Sequence, residues 1–301
     1  MPTSDFVLGG VAAMMAGVFA NPIEVVKTRM QLQGELAARG THAKPYKNVF
    51  QAFVAVVRND GVAGLQKGIA PALCFQFVIN SCRLGIFKVA LDNGWVSKNK
   101  EEVSFVRGMF WGATGGSVGA LLANPFFLMK AQLQAQSAGK ITVGYQHQHT
   151  SMFDAIRNIC RVGGIAGLWR GSSANLVRAS VASSVQMATF GWVKSPLRNM
   201  GFNPLAVSFL SGLSAGSLLS CVVTPLDLIT IRLYNQGLDA QGKGILYKGW
   251  FDCVFKVMKT EGIYGFYKGF GPIYARSAPH STLMLFFFDQ LIALRTKISQ
   301  K

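Results

Sequence analysis

Three arginines lie inside stretches otherwise nearly free of charge: Arg83 within 69–91, Arg178 within 173–193 and Arg276 within 272–291. A guanidinium carries its donors in a fixed plane and stays protonated in a dry setting. It therefore suits carboxylate or sulfate oxygens, taken two at a time. Each arginine has neutral polar neighbours at helical spacing. Gln76, Asn80 and Arg83 follow at i, i+4 and i+7, Asn175 and Gln186 flank Arg178, and His280 comes four residues after Arg276. On a helix such spacing draws one polar stripe along a greasy rod, and a charge in mid-membrane normally faces a water-filled interior. Arg178 and Arg276 each follow a basic-Gly pair by seven residues and share one depth, whereas Arg83 follows its pair by fifteen. No acid lies on the same stretches at that depth, which favours a bound dianion over an internal partner. His280 suits either proton binding or a plain hydrogen bond. The stretches hold no nucleophile with a base. The five cysteines (Cys74, Cys82, Cys160, Cys221, Cys253) and four histidines form no metal-ligand spacing. Binding is indicated, without enzymatic chemistry, metal or cofactor.

The composition agrees with a membrane setting. Half of the 301 residues are hydrophobic, and 14% are charged, against about 25% in an average soluble domain. Mean hydropathy is +0.31. Yet Lys+Arg number 30 against 13 Asp+Glu, a net charge of +17, as expected of a chain that handles anions or sits against anionic lipid. A nucleic-acid binder would cluster its basic residues on a polar domain. Here they are spread between apolar runs, and that class is set aside.

The elements that position the arginines repeat three times. Pro22-Ile23-Glu24-Val25-Val26-Lys27-Thr28-Arg29 closes the first apolar run, and altered copies start at Pro125 and Pro225, 103 and then 100 residues on. A second landmark keeps the beat: Asp60-Gly61 with Lys67-Gly68, Gly163-Gly164 with Arg170-Gly171, and Glu261-Gly262 with Lys268-Gly269. Periodicity of this kind decides architecture. We expect repeats over 4–92, 103–197 and 203–296, each with two membrane spans joined by an amphipathic surface helix. The first span of each pair (6–23, 108–129, 203–226) is nearly uncharged and ends at a helix-kinking proline, Pro22, Pro125 or Pro225. The second carries the arginine. The predicted fold is all-α, with six transmembrane helices in pseudo-threefold order. Loop 24–67 has seven Lys/Arg against three acids and loop 130–170 has five against one, which places both termini on the opposite side. The chain enters its first apolar run at once, so any targeting signal is expected to be internal.

With these motifs the chain resembles the mitochondrial carrier family over its whole length. That family's signature is Pro-x-acid-x-x-basic-x-basic followed by acid-Gly, four residues, and aromatic-basic-Gly. The first unit departs at Gln66, in the aromatic place. The second has Phe127, Gln132 and Gly163 where the family has acid, basic and acid, and the third has Thr230 for a basic residue. The resemblance implies a matrix-side gate of ion pairs between units: Glu24 with Lys130, Asp227 with Lys27, and Phe127 with Thr230. Both charges of the third pair are missing together, as pairing requires, since a lone buried charge costs about 3–5 kcal/mol. It also implies a cytoplasmic gate, here without an intact pair, whose mouth Lys88, Lys194 and Asp289 shape.

Arg83, Arg178, Arg276, Asn80, Gln76, Asn175, Gln186 and His280 correspond to the family's substrate contacts. Arg83-Leu84-Gly85 is similar to its dicarboxylate and oxoacid carriers, and the branch it resembles most is that of the oxaloacetate carriers. What this implies is antiport of small dicarboxylates against sulfate or thiosulfate by alternating access in the mitochondrial inner membrane. Other anions or a proton leak on the same scaffold are the alternatives. The implied partners are small anionic metabolites and anionic, cardiolipin-like lipid, with a monomeric chain and no nucleic acid.

Overall fold

The computed structural model describes residues 4–37, 45–99, 102–239 and 242–276, together with 280, 283, 287, 290, 291 and 294. Each unit folds as long helix, short surface helix, long helix. The first is α1 (Ser4–Leu32), α2 (Val49–Gly64) and α3 (Ile69–Asp92), and the second is α4 (Phe105–Ala135), α5 (Met152–Gly163) and α6 (Ser172–Asn199). The third has α7 (Pro204–Asn235), α8 (Trp250–Glu261) and the single turn α9 (Ile263–Phe266). Helical backbone then covers 270–276 and recurs at 280, 283, 287, 290, 291 and 294, the last helix. A small antiparallel ribbon, β1 (Ser97–Asn99) with β2 (Glu102–Val103), links the first two units. In space α1 packs on α3, α3 on α4, α4 on α6 and α6 on α7. Stacked rings of Phe19 and Phe287, 6.0 Å apart, bring the last helix back to α1. The result is a ring in which three proline helices (α1, α4, α7) alternate with three arginine helices (α3, α6 and the last).

The proline helices do not stop at their prolines, contrary to the sequence expectation. α1 runs on to Leu32, α4 to Ala135 and α7 to Asn235. A proline removes one helix N–H and orphans the carbonyl four residues earlier, so the helix can continue if that carbonyl finds another donor. For Pro22 the carbonyl is Val18, which accepts a bond from Gln66 Nε2 at 3.3 Å. For Pro125 it is Leu121, which accepts from Trp169 Nε1 at 2.9 Å. Gln66 and Trp169 hold the same place before their basic-Gly pairs. The place asks for a donor, and glutamine supplies it as well as indole. Just ahead of the prolines, Asn21 and Asn124 donate to Leu65 O (3.2 Å) and Leu168 O (2.9 Å), tying the same loops down.

Beyond the prolines the three tails converge, and their side chains are polar yet buried. Arg29, Gln31, Gln134, Arg232 and Tyr234 have no exposed surface. The glycines of the basic-Gly pairs let the loops close on these tails. Gly68, Gly171 and Gly269 have φ of 68°, 72° and 86°, the left-handed region that disfavours any Cβ. A Cβ there would also meet Gln134 at 3.1 Å, Tyr234 at 2.5 Å and Gln31 at 2.8 Å. Those three contacts are one position seen three times, nine residues past each proline.

Among the described residues three helices are long and apolar enough to cross a membrane: Val7–Leu32, Ile69–Asp92 and Gly216–Asn235. The sequence reading expected six. α4 and α6 are as long, at 31 and 28 residues, and much of the last helix lies outside the described residues. α4 buries five glycines between its neighbours. A Cβ on Gly115 would lie 3.1 Å from Arg83 O and one on Gly116 2.6 Å from Ala179 O, so α4 is wedged tightly between α3 and α6. The surface helices carry large apolar residues outward, with Phe50, Phe153 and Phe251 each more than 70% exposed. They bury small ones, such as Ala52, Ala155 and Cys253. That outward face suits a membrane interface.

Trp169→Phe and Gln66→Leu each return a proline-orphaned carbonyl to an apolar setting, and each is expected to cost about 1–3 kcal/mol. Thermal unfolding of the purified protein in detergent reads this directly, with Trp169→Gln retaining most of the stability that Trp169→Phe loses.

Candidate functional site: an arginine cavity over two ion pairs

Where the proline helices converge, Lys27 Nζ lies 2.9 Å from Asp227 Oδ2, and Lys130 is ion-paired with Glu24. All four residues are at most 5% exposed. The first pair joins the first and third units and the second joins the first and second. At the third seam, between the second and third units, no ion pair joins positions 127 and 230. Thr230 turns its hydroxyl back to Leu226 O at 2.8 Å. Phe127 instead packs on Phe75 and Tyr234, with ring centroids 4.8 and 5.4 Å away. Below the pairs, Gln31 Nε2 donates to Asp227 Oδ2 at 3.0 Å, and Gln134 joins Thr28 at 3.2 Å and Asn21 at 2.9 Å. These braces were not singled out in the sequence. Their signal was the shared position of Gln31, Gln134 and Tyr234 nine residues past each proline.

Two of the three arginines rest on this layer. Arg178 NH1 lies 3.7 Å from Asp227 Oδ1, and Arg276 NH1 lies 3.4 Å from Glu24 Oε1. No acid lies on the arginines' own helices, as the sequence reading had it, but an internal partner is supplied all the same. Each acid comes from the neighbouring proline helix, which one-dimensional spacing along the arginine's own helix cannot reveal. Arg178 also holds Asn175 Oδ1 at 2.9 Å. Arg83 stands apart, as its different spacing required, and has no carboxylate partner among the described residues. It donates to Gln186 Oε1 at 2.6 Å and to Asn80 Oδ1 at 2.7 Å. Asn80 in turn reaches Gln76 Oε1 at 3.1 Å, and Gln76 Nε2 meets His280 Nε2 at 3.3 Å. Gln186, Arg83, Asn80, Gln76 and His280 thus form one polar chain across all three arginine helices, and Asn175 lies outside it beside Arg178.

Two features make this cavity unusual. Five cations (Lys27, Lys130, Arg83, Arg178, Arg276) face two carboxylates (Glu24, Asp227), which leaves three positive charges over. Moreover, Nε of Arg83, of Arg178 and of Arg276 are all buried without a hydrogen-bond partner among the described residues. Buried donors are normally satisfied. Three unsatisfied guanidinium donors among these excess positive charges are what an oxyanion would complete.

At the opposite mouth the expected residues are less informative. Lys88 is ion-paired with Asp92 on its own helix, at the exposed surface, so it does not reach across the cavity. The side chain of Lys194, and Asp289, lie outside the described residues.

A second layer ties the tails to the surface helices. In the first unit Arg29 reaches Asp60 at 2.6 Å and Lys67 reaches it at 3.3 Å. In the third, Arg232 and Lys268 both hold Glu261 at 2.5 Å. Burial works to raise both carboxyls, but the hydrogen bonds and charges of the arginine and lysine outweigh it and hold each below its usual value. The second unit has lost the arginine (Gln132) and the acid (Gly163) together. Gln132 Oε1 is met there by His149 Nε2 at 3.0 Å, and His149 Nδ1 by Asn158 at 3.4 Å. Burial pushes His149 down, so a neutral imidazole donates to one amide and accepts from the other.

The sequence profile of the mitochondrial carrier protein family matches residues 1–93, 101–201 and 202–298. Solute carrier family 25 member 35 of Mus musculus is 44% identical over 95% of this chain and 97% of its own length. Mitochondrial citrate transporter E of Aspergillus niger is 36% identical, covering 99% and 96%. A mitochondrial oxaloacetate transport protein of Schizosaccharomyces pombe is 35% identical, covering 99% and 93%.

Two outcomes are expected. Lys27→Met leaves Asp227 buried and under-compensated and should cost about 3–5 kcal/mol of stability, whereas the swap Lys27→Asp with Asp227→Lys should recover most of it in thermal unfolding. The depressed carboxyls of Asp60 and Glu261 contribute stability that is complete above about pH 5 and is lost as pH falls through their folded-state values. The double variant Asp60→Asn, Glu261→Gln should therefore be less stable at neutral pH and show a flatter acid limb between pH 5 and 3.

Proposed function

The chain belongs to the mitochondrial carrier protein family, and on that premise we propose that it is an antiporter of the mitochondrial inner membrane. It exchanges small dicarboxylates, oxaloacetate-like in chemistry, for inorganic sulfur oxoanions such as sulfate or thiosulfate. The single observation that carries this reading is the trio of buried Nε–H donors, without a partner among the described residues, beside three excess positive charges. Charge-assisted bonds from guanidinium to carboxylate or sulfate are short and strong, and a dianion offers enough oxygens to engage more than one of them. Named relatives that transport oxaloacetate support the substrate class.

The same geometry supplies a mechanism. An anion entering the cavity competes with Asp227 for Arg178 and with Glu24 for Arg276. Drawing either arginine off removes a contact between helices and leaves its buried carboxylate less compensated, so the closed end opens more readily with substrate bound than without. Exchange is then easier than net flux. The three repeats, 4–92, 103–197 and 203–296, move as the gating units. The ion-pair end faces the matrix, both termini face the intermembrane space, and the chain works as a monomer among cardiolipin-like lipids. Lys194 and Asp289, with Lys88, shape the opposite mouth, and His280 at the end of the polar chain is the place for a co-transported proton.

One observation favours a second reading. Three excess charges also match a trianion, and a 36% identical relative transports citrate. Uptake of radiolabelled sulfate into liposomes preloaded with oxaloacetate, malonate, citrate, phosphate, ATP or nothing separates these. Sulfate uptake that needs an internal dicarboxylate, and falls at least about tenfold in Arg83→Gln, is the expected result. Uptake driven by citrate alone selects the second reading. Uptake driven only by ATP, or by no anion, overturns both.

A further inference from the structure

We infer that Arg178 itself closes the third seam of the gate, held in place by the face of the Phe127 ring, so that a substrate-binding residue doubles as the missing bridge. Two seams are closed by lysine–carboxylate pairs, and the third, between the second and third units, has Phe127 and Thr230 where charges would be. Yet Arg178 spans that seam. Its guanidinium carbon lies 4.5 Å from the Phe127 centroid, within its own unit, and its NH1 lies 3.7 Å from Asp227 in the next. Phe127 is 2% exposed and fixed from other sides by Phe75 and Tyr234. An aromatic face attracts a cation most strongly when both are desolvated. An aspartate or glutamate at 127 would take Arg178 as a full ion pair and hold it. A leucine would fill the volume and hold nothing. Phenylalanine keeps the guanidinium on station while leaving it available.

Phe127 is thus a positioning residue. It aims Arg178 at Asp227 in the empty cavity and yields it when an anion with stronger charge complementarity arrives. The other seams answer less directly, since Lys27 takes part only through Asp227, and Lys130, whose Nζ lies farther from the Phe127 centroid at 5.6 Å, is held by Glu24. The seam between the second and third units is therefore the first to loosen on substrate binding. This rests on the anion-exchange reading for its kinetic consequence, though not for the contact itself.

The test replaces phenylalanine at 127 by a ring-fluorinated phenylalanine, which drains the negative face at nearly constant volume, alongside Phe127→Leu and Phe127→Tyr. In sulfate/dicarboxylate exchange the fluorinated protein should show KM lowered about fivefold, because the anion no longer competes with the ring. Uptake into empty liposomes should rise by a similar factor, because the resting seam is weaker. Phe127→Tyr, which keeps the ring face, should retain the unmodified KM. Unchanged KM and unchanged leak in the fluorinated protein overturn the proposal. A readout independent of transport is a double-mutant cycle of Phe127→Leu and Arg178→Gln followed by thermal unfolding in detergent. Non-additive shifts support the contact, and additive shifts overturn it even if no transported anion has been found. Coupling in the cycle with no exchange of any anion would instead overturn the anion-exchange reading and leave the contact standing.

Discussion

Two buried carboxylates, Glu24 and Asp227, are each held between a lysine of one neighbouring helix and an arginine of another. Placing a carboxylate in an apolar interior costs several kcal/mol, which only close opposite charge and satisfied oxygens offset. The three proline helices are obliged to converge at this level, because lysine and carboxylate come from different helices. The arginine helices are obliged to present Arg178 and Arg276 at one depth for the same reason. A rival for those arginines is a rival for the cohesion of the whole end of the ring. On the proposed exchange reading, binding and gating are one set of contacts.

The scaffold solves the same backbone problem more than once with different chemistry. A proline in mid-helix orphans a carbonyl, and a donor from the following loop restores it, indole in one unit and amide in another. Left-handed glycines then bring each loop onto a tail side chain nine residues past a proline. The tails can be both polar and buried because those side chains meet one another across the units. Gln31 braces Asp227, and Gln132 caps Tyr234 O at 3.1 Å.

The second repeat departs furthest, and its departures come in matched sets. Gln132 and Gly163 remove an arginine and its acid together, and His149 with Asn158 supplies a neutral substitute. Phe127, with Thr230 from the third unit, removes an acid and a base together, and an aromatic cluster fills the gap. Removing one partner alone would strand a buried charge, whereas removing both costs little. Matched loss at two separate layers is the physical signature of residues that touch.

Much of this was legible in the residues themselves. Repeat length, the all-helical membrane class and the arginine stripes follow from periodicity, a property of order along the chain, and the Glu24–Lys130 and Asp227–Lys27 pairings were implied by the family resemblance that the repeated motif carries. Even the separate depth of Arg83 follows from counting. The sequence also misled where the deciding partner lies across the ring. The acids that hold Arg178 and Arg276 come from neighbouring helices, and spacing along one helix carries no information about them. The prolines read as helix ends because the donors that rescue Val18 and Leu121 sit more than forty residues away. Phe127 read as an absence, a charge not present. Only the packed structure makes it a surface, because the use of an aromatic face depends on which cation the fold sets against it.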